Sequence, residues 1–465
     1  MNKKSIDLGK GSVGKILLRL ALPAILAQLV NVLYNIVDRI FIGRMPSGDI
    51  AMAGVGIAFP IIMLVSAFSA LIGMGGAPLA AIKMGEGDNE GAEKIMGNSF
   101  SMLLILGTIL TILFMIFKEP ILWAFGASEA TINFALDYLN LYLIGTIFVQ
   151  IALGMNPFIY TQGFAKIGMS TVITGAVINI ILDPIFIFVF DMGVKGAALA
   201  TIIAQIVSAL WVLHFLIGHK SIIKIKRKYL VPDFNIVLSI MALGVSPFIM
   251  HSTESVVLIA LNNKVQMYGG DLAVGAMTIM SSIMQIITLP IIGLSQGAQP
   301  IISYNYGAGN LHRVKKTFKI LFINCITYTI IMWALLMLFP KVFVSIFNNK
   351  PELLQITSMS IRIFFSGILL FGAQIACQQT FLALGQAKIS LIMALLRKVV
   401  LLIPLILILP MFFENKLKAV LLAEPIADVL AAITTSICFY IFYKKNLVDN
   451  TSTMFDAEIE VEVDN

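Results

Sequence analysis

The chain has 465 residues, of which 59% are apolar and only 12% charged, with a mean hydropathy of +0.95. That balance excludes an ordinary soluble domain and points to an integral membrane protein. The net charge of +7 comes from clustered Lys and Arg, which suits contact with anionic lipid better than with nucleic acid.

Twelve continuous apolar runs approach the length a bilayer requires, at about 15–42, 51–82, 95–117, 133–160, 167–190, 194–217, 236–266, 272–304, 315–340, 354–384, 388–411 and 416–443. They lack the ten-residue alternation of a membrane β-barrel. The expectation is therefore an all-α integral membrane protein. Residues 49–200 recur without a gap 222 positions later: Gly75 returns as Gly297, Pro78 as Pro300, Gly145 as Gly367, and Gly163 as Gly385. Six spans per copy return the chain to its starting side, so the two bundles should be related by a pseudo-two-fold axis along the membrane normal. Doubled bundles of this kind place a ligand site between the copies.

The boundaries that follow are a first lobe at 1–217, a basic linker at 218–235, a second lobe at 236–445, and an acidic, disordered tail at 446–465. Twenty of the 32 Lys and Arg fall on one side of the twelve spans, including Lys10, Lys15, Lys220 to Lys228, Arg313 and Lys444. By the positive-inside bias that side is cytoplasmic and holds both termini. The first apolar run meets Asp38 and Arg39 without a small-residue cleavage site, so it reads as a span and not as a leader. Cys325, Cys377 and Cys438 are scattered within spans and imply neither a disulfide framework nor a zinc site.

In the first span Gln28, Asn31, Asn35 and Asp38 are spaced 3, 4 and 3 apart and form one helical stripe, with Tyr34 adjoining. Facing lipid would cost several kcal/mol, so the stripe faces protein or water. Pro23, just before it, is the preferred hinge. In the fifth span Asn179 and Asp183 share a face, and in the sixth Thr201, Gln205 and Ser208 form another polar stripe. An ionised carboxylate at this depth must be paired, protonated or bound to a cation. Arg39 is a candidate partner for Asp38, though one residue off the stripe. The spacing selects Asp38, Asn179, Asp183 and Thr201 as a site for a proton or a sodium ion, with a purely structural, hydrogen-bonded aspartate as the alternative. Position 183 is occupied by Leu405 in the second copy, so the repeat keeps its shape and loses this charge.

The second copy carries Glu254, either protonatable, substrate-attracting or locally hydrogen-bonded. It also carries Gln374 and Gln378 on one face, and Arg397 opposite Glu424 or Asp428 as an internal ion pair. Met280 and Met284 suit a cavity that accepts ligands of different shape. Tyr34, Tyr138 and Tyr142 suit stacking on organic cations.

Pro23 with Asn35-Ile36-Val37-Asp38, the run Asn179-Ile180-Ile181-Leu182-Asp183-Pro184, and the Gly- and Ala-rich stretch 193–200 resemble the multidrug and toxic compound extrusion (MATE) transporters over about residues 10–445. Leu396-Arg397-Lys398, Ile403-Pro404-Leu405 and Glu424-Pro425-Ile426-Ala427-Asp428 look like the bacterial branch that contains a staphylococcal drug exporter. The resemblance implies a secondary antiporter of the bacterial inner membrane, not an enzyme. It would export cationic or amphipathic organic compounds in exchange for H+ or Na+, without a further cofactor and as a monomer. It places a cation site on Asp38, Asn179, Asp183 and Thr201. The family's sodium-coupled branch also uses acids on helices seven and ten. Glu254 matches the first, but Ala373 and Gln374 stand where the second would be.

A flippase for lipid-linked precursors shares the doubled bundle but would need a cationic cavity, for which mid-span arginines are too few. An enzyme is opposed by four dispersed histidines (His214, His219, His251, His312), and ATP drive by the lack of a Gly-x-x-x-x-Gly-Lys-Ser/Thr loop.

Overall fold

The computed structural model describes residues 5–347 and 350–447, and every regular element among them is helical. The first half contains α1 (Val13–Gly43), α2 (Gly48–Gly85), α3 (Asn89–Ala124), α4 (Ile132–Ile144), α5 (Thr146–Thr161), α6 (Ala165–Pro184) and α7 (Val194–Ile217). The second contains α8 (Phe234–Gly307), α9 (Leu311–Leu338), the short α10 (Pro340–Ser345), α11 (Pro351–Phe364), α12 (Ile368–Ala383), α13 (Ala387–Leu395), α14 (Ile403–Ile408) and α15 (Lys416–Asn446). From residue 448 onward the expected acidic tail lies outside the described residues.

Nine helices among the described residues are long and apolar enough to cross a membrane, and two bent pairs, α4–α5 and α11–α12, add two more candidate spans. The 74-residue α8 is itself two helices, because Gly270 breaks it with φ 66° and ψ −167°. With that break counted, the twelve expected segments are all accounted for.

The 222-residue period of the sequence reappears in the helix starts. Asn89, Thr146, Ala165 and Val194 open helices in the first half; Leu311, Ile368, Ala387 and Lys416 open their counterparts. Even the departures from straightness repeat. The fourth span bends by 60° near Gly145 and the tenth by 49° near Gly367. A Cβ on Gly145 would meet Ile202 at 2.7 Å, and one on Gly367 would meet the Pro425 carbonyl at 2.7 Å. Each bend thus presses its glycine against the last span of its own half.

The halves meet mainly where α2 and α1 cross the two parts of α8. Added side chains have no room there. A Cβ on Gly244 would lie 1.7 Å from the Leu71 carbonyl, and one on Gly297 would lie 2.5 Å from the Ala21 nitrogen. Gly85 and Gly307, equivalent in the repeat, come similarly close to the opposite helix, at 1.9 Å from the Tyr304 carbonyl and 2.0 Å from that of Ile82. Small residues let backbones approach within dispersion range where lipid offers no hydrophobic drive. Away from this seam the packing loosens. In α1, residues 13–27 bury one face, whereas no residue from Gln28 to Phe41 is fully buried. The polar stripe therefore occupies the less closely packed end of α1.

Replacing Gly244 with Val should lower the unfolding midpoint of the detergent-solubilised protein by several degrees, since overpacking costs about 1–3 kcal/mol or more. Gly56, on α2 with no heavy atom within 4 Å of a built Cβ, should accept Ala without loss. Equal midpoints for the two variants in a thermal melt would contradict this packing.

Candidate functional site

Asn179 and Asp183 lie on successive turns of α6, one face of which packs along α1. Pro184 lacks an N–H and cannot extend the ladder, and the next five residues, Ile185–Val189, take wider π-helical turns. Such turns often mark functional positions, because they re-aim side chains without ending the helix. Asp183 is 0% exposed and Asn179 1%.

The Asn179 amide uses both its protons. Nδ2 donates to Asp183 Oδ1 at 3.2 Å and to Thr201 Oγ1 on α7 at 3.3 Å. The oxygens around it are left wanting. Asp183 Oδ2, Asn179 Oδ1 and Asp38 Oδ1 on α1 are all buried and accept no hydrogen bond. Asp38 stands near enough to Asp183 for their charges to interact. Arg39, a candidate partner for Asp38, holds its guanidinium 5.2 Å from the Phe59 ring centroid, and its charge still reaches Asp38. Buried acceptors without donors are costly, and carboxylates most of all. A proton on one carboxyl or a small cation among these oxygens would remove the cost. Among the described residues no three His, Cys, Asp or Glu gather as for a transition metal. Two carboxyls with an amide and a hydroxyl are hard oxygen donors, suited to sodium or a proton.

The aromatic residues expected at a cavity join this cluster. Tyr138 and Tyr142 stack at 6.1 Å with 20° between planes, and each is 4% exposed. Tyr138 lies beside Thr201 and Tyr34 beside Asn35, both within range of the Asp38 charge. Gln205, one turn beyond Thr201, is half-buried. On α1, Asn35 is exposed and donates to the Asn31 carbonyl at 2.7 Å, while Asn31 is half-buried. Gln28 reaches across the seam to Gln296 Oε1 at 3.3 Å. Pro23 lies buried below it in the tightly packed part of α1.

The second half compensates its charges internally. Arg397 binds Asp428 at 2.7 Å and Glu424 at 3.1 Å, so it pairs with both acids and not with one. Glu254, for which attraction of substrate was one expectation, pairs with Lys398 at 2.7 Å. The Glu254 side chain is still 47% exposed while that of Lys398 is 7% exposed. Spacing gave no warning of Lys398, because adjacent residues on an α-helix diverge by about 100°. The π-helical stretch Leu396–Leu402 buries both Arg397 and Lys398. Gln374 is 1% exposed with Oε1 unpartnered, and Gln378 donates to Met250 Sδ at 3.2 Å. Met280 sits at 1% exposure in the apolar core, against which half-buried Met284 packs.

With this geometry in view, the chain was compared with known proteins. The MatE family pattern matches twice, over residues 23–185 and 247–408, once in each half. Multidrug export protein MepA of Staphylococcus haemolyticus is 26% identical over 443 residues, covering 95% of this chain and 97% of that protein. MepA of Staphylococcus saprophyticus is also 26% identical, over 96% and 97%. A solved MATE structure in the straight conformation superposes with a TM-score of 0.87 at 25% identity, over 95% of this chain and 98% of that one. A MOP-superfamily transporter from Pyrococcus furiosus reaches 0.88 at 24% identity, over 96% and 100%, and supports the fold. The doubled match covers well over half the chain, which is a multi-pass membrane protein and a transporter, not an enzyme: it belongs to the MatE family.

Proposed function

We propose that the protein is a multidrug antiporter that exports cationic or amphipathic organic compounds in exchange for H+ or Na+. The observation that carries this reading is the set of buried oxygens on Asp38, Asn179 and Asp183 that no protein donor satisfies. The full-length similarity to staphylococcal proteins named as multidrug exporters supports the direction and breadth of transport.

With the cleft open to the cytoplasm, an organic cation settles beside Tyr34, Tyr138 and Tyr142, drawn by the uncompensated carboxylates. When the cleft faces outward, a proton or sodium ion binds among Asp38, Asn179, Asp183 and Thr201. The site is then neutral, the organic cation leaves, and α1 bends near Pro23. Inward movement of one positive charge through a ~100 mV potential supplies roughly 2.3 kcal/mol. The side rich in Lys and Arg, with both termini, faces the cytoplasm of a bacterial cell. The cluster of Arg397 and Lys398 with Glu254, Glu424 and Asp428 sets two cations against three acids, so it supplies no cationic cavity for an anionic, lipid-linked substrate.

Asp183→Asn should reduce drug resistance in expressing cells at least tenfold while protein still reaches the membrane; full resistance would refute the assignment. Glu254→Gln should behave differently. It strands Lys398 as a buried unpaired charge, at a cost of about 3–5 kcal/mol, and adding Lys398→Met should restore the lost unfolding midpoint. In vesicles holding wild-type protein, a fluorescent organic cation should move against its gradient when either a pH or a sodium gradient is imposed alone. Movement under neither would exclude exchange.

A further inference from the structure

The segment ahead of each half's first helix is bonded to the other half's side chains: residues 7–11 lead into α1, and residues 224–233 arrive from α7 and lead into α8. Ahead of α1, Leu8 is 5% exposed. Its carbonyl accepts from Asn305 Nδ2 at 2.9 Å and Arg313 Nη2 at 3.1 Å, and the Gly11 carbonyl accepts from Arg313 Nη1 at 2.8 Å. All three donors belong to the second half. The strap's shape is set locally: Asp7 Oδ1 accepts from the Gly9 N–H at 2.9 Å, and Gly11 has φ +84°.

Ahead of α8, the residue 222 places after Leu8 is Leu230. Its carbonyl accepts from Ser101 Oγ at 2.6 Å, and Asn98 Oδ1 accepts from the Asp233 N–H at 2.5 Å. Glu93, 6% exposed, pairs with Lys226 at 2.5 Å. These partners are all on α3, in the first half. The stretch expected as a plain linker is therefore a docked strap, the mirror of the first one.

The first strap flanks the closed seam: a Cβ on Gly9 would meet the Tyr304 ring at 3.2 Å, and one on Gly85 would meet the carbonyl of the same tyrosine at 1.9 Å. Asn305 and Arg313 have Lys83 and Gly91 as their counterparts in the first half, so the repeat alone does not account for these contacts. Opening the seam must pull residues 8–11 from Asn305 and Arg313, and must draw the start of α8, capped by Asp233, away from the anchorage of that residue on Asn98 of α3.

We propose that the two straps form a reciprocal clasp. It holds the halves together on the side assigned to the cytoplasm and has to release before the cleft can open there. The clasp rests on the alternating-access reading above, but its test involves no transport. In a chain with its three cysteines replaced, spin labels at Asn89→Cys on α3 and Lys316→Cys on α9 report the separation of the halves at this end. The purified protein in lipid nanodiscs should give one short distance. Asn305→Ala with Arg313→Ala should raise a longer-distance population at least threefold, and Ser101→Ala should shift it the same way. Arg227→Ala, at an exposed strap residue, should not. If the double variant fails to fold, Leu8→Asn serves in its place. Folded variants of both straps with the parent's distance distribution would overturn the clasp.

Discussion

A charge in the interior of a bilayer has to be answered, and the two halves of this protein answer it in opposite ways. The second half supplies its own counter-ions, with Arg397 between Glu424 and Asp428 and Lys398 against Glu254. The first half withholds them at Asp183. Asp183 is sealed from solvent, bonded on one oxygen to an amide and on the other to nothing. A fold stable in membranes tolerates such a group where something small and positive comes and goes. On the proposed reading the same deficit would attract an organic cation when the small ion is absent, and exchange and export would be two consequences of one imbalance.

The repeat makes the contrast sharp, because it removes the fold as a variable. Asp38, Asn179, Asp183 and Thr201 have Ala260, Leu401, Leu405 and Ala423 at the corresponding positions of the second copy. Helix starts, bends and close-packed glycines are retained through the duplication. Backbone geometry is therefore common property, and the ionisable side chains are what distinguishes the halves. A seam of glycines also suits motion: the contact at Gly85 and Gly307 is backbone against backbone, with few side chains to disentangle when the halves rock.

Much of this was legible in the residues. Apolar run length fixed the spans, and i, i+4 spacing placed Asn179 beside Asp183. A one-sided polar stripe singled out Asp38 on α1, the helix that packs against α6. Three features escaped. The pairing of Lys398 with Glu254 depends on π-helical turns, which no α-periodicity reveals. The bends at Gly145 and Gly367 were hidden because a glycine within an apolar run is equally compatible with a straight helix. The docking of residues 224–233 on α3 relies on Glu93, Asn98 and Ser101, polar residues near a helix end whose exposure sequence cannot judge. In each case the missing information is long-range, carried by contacts between segments far apart in the chain.

The central claim is that one set of carboxyl oxygens serves the small ion and the organic cation in turn. Its most direct measurement is ion release by purified protein in weakly buffered detergent when a lipophilic cation such as tetraphenylphosphonium is added. With protons bound, the medium should acidify in proportion to the cation taken up; with sodium bound, a sodium-sensitive electrode should register the ion instead. Either signal should vanish in Asp183→Asn. Binding of the organic cation with neither ion released by the wild-type protein would contradict the account.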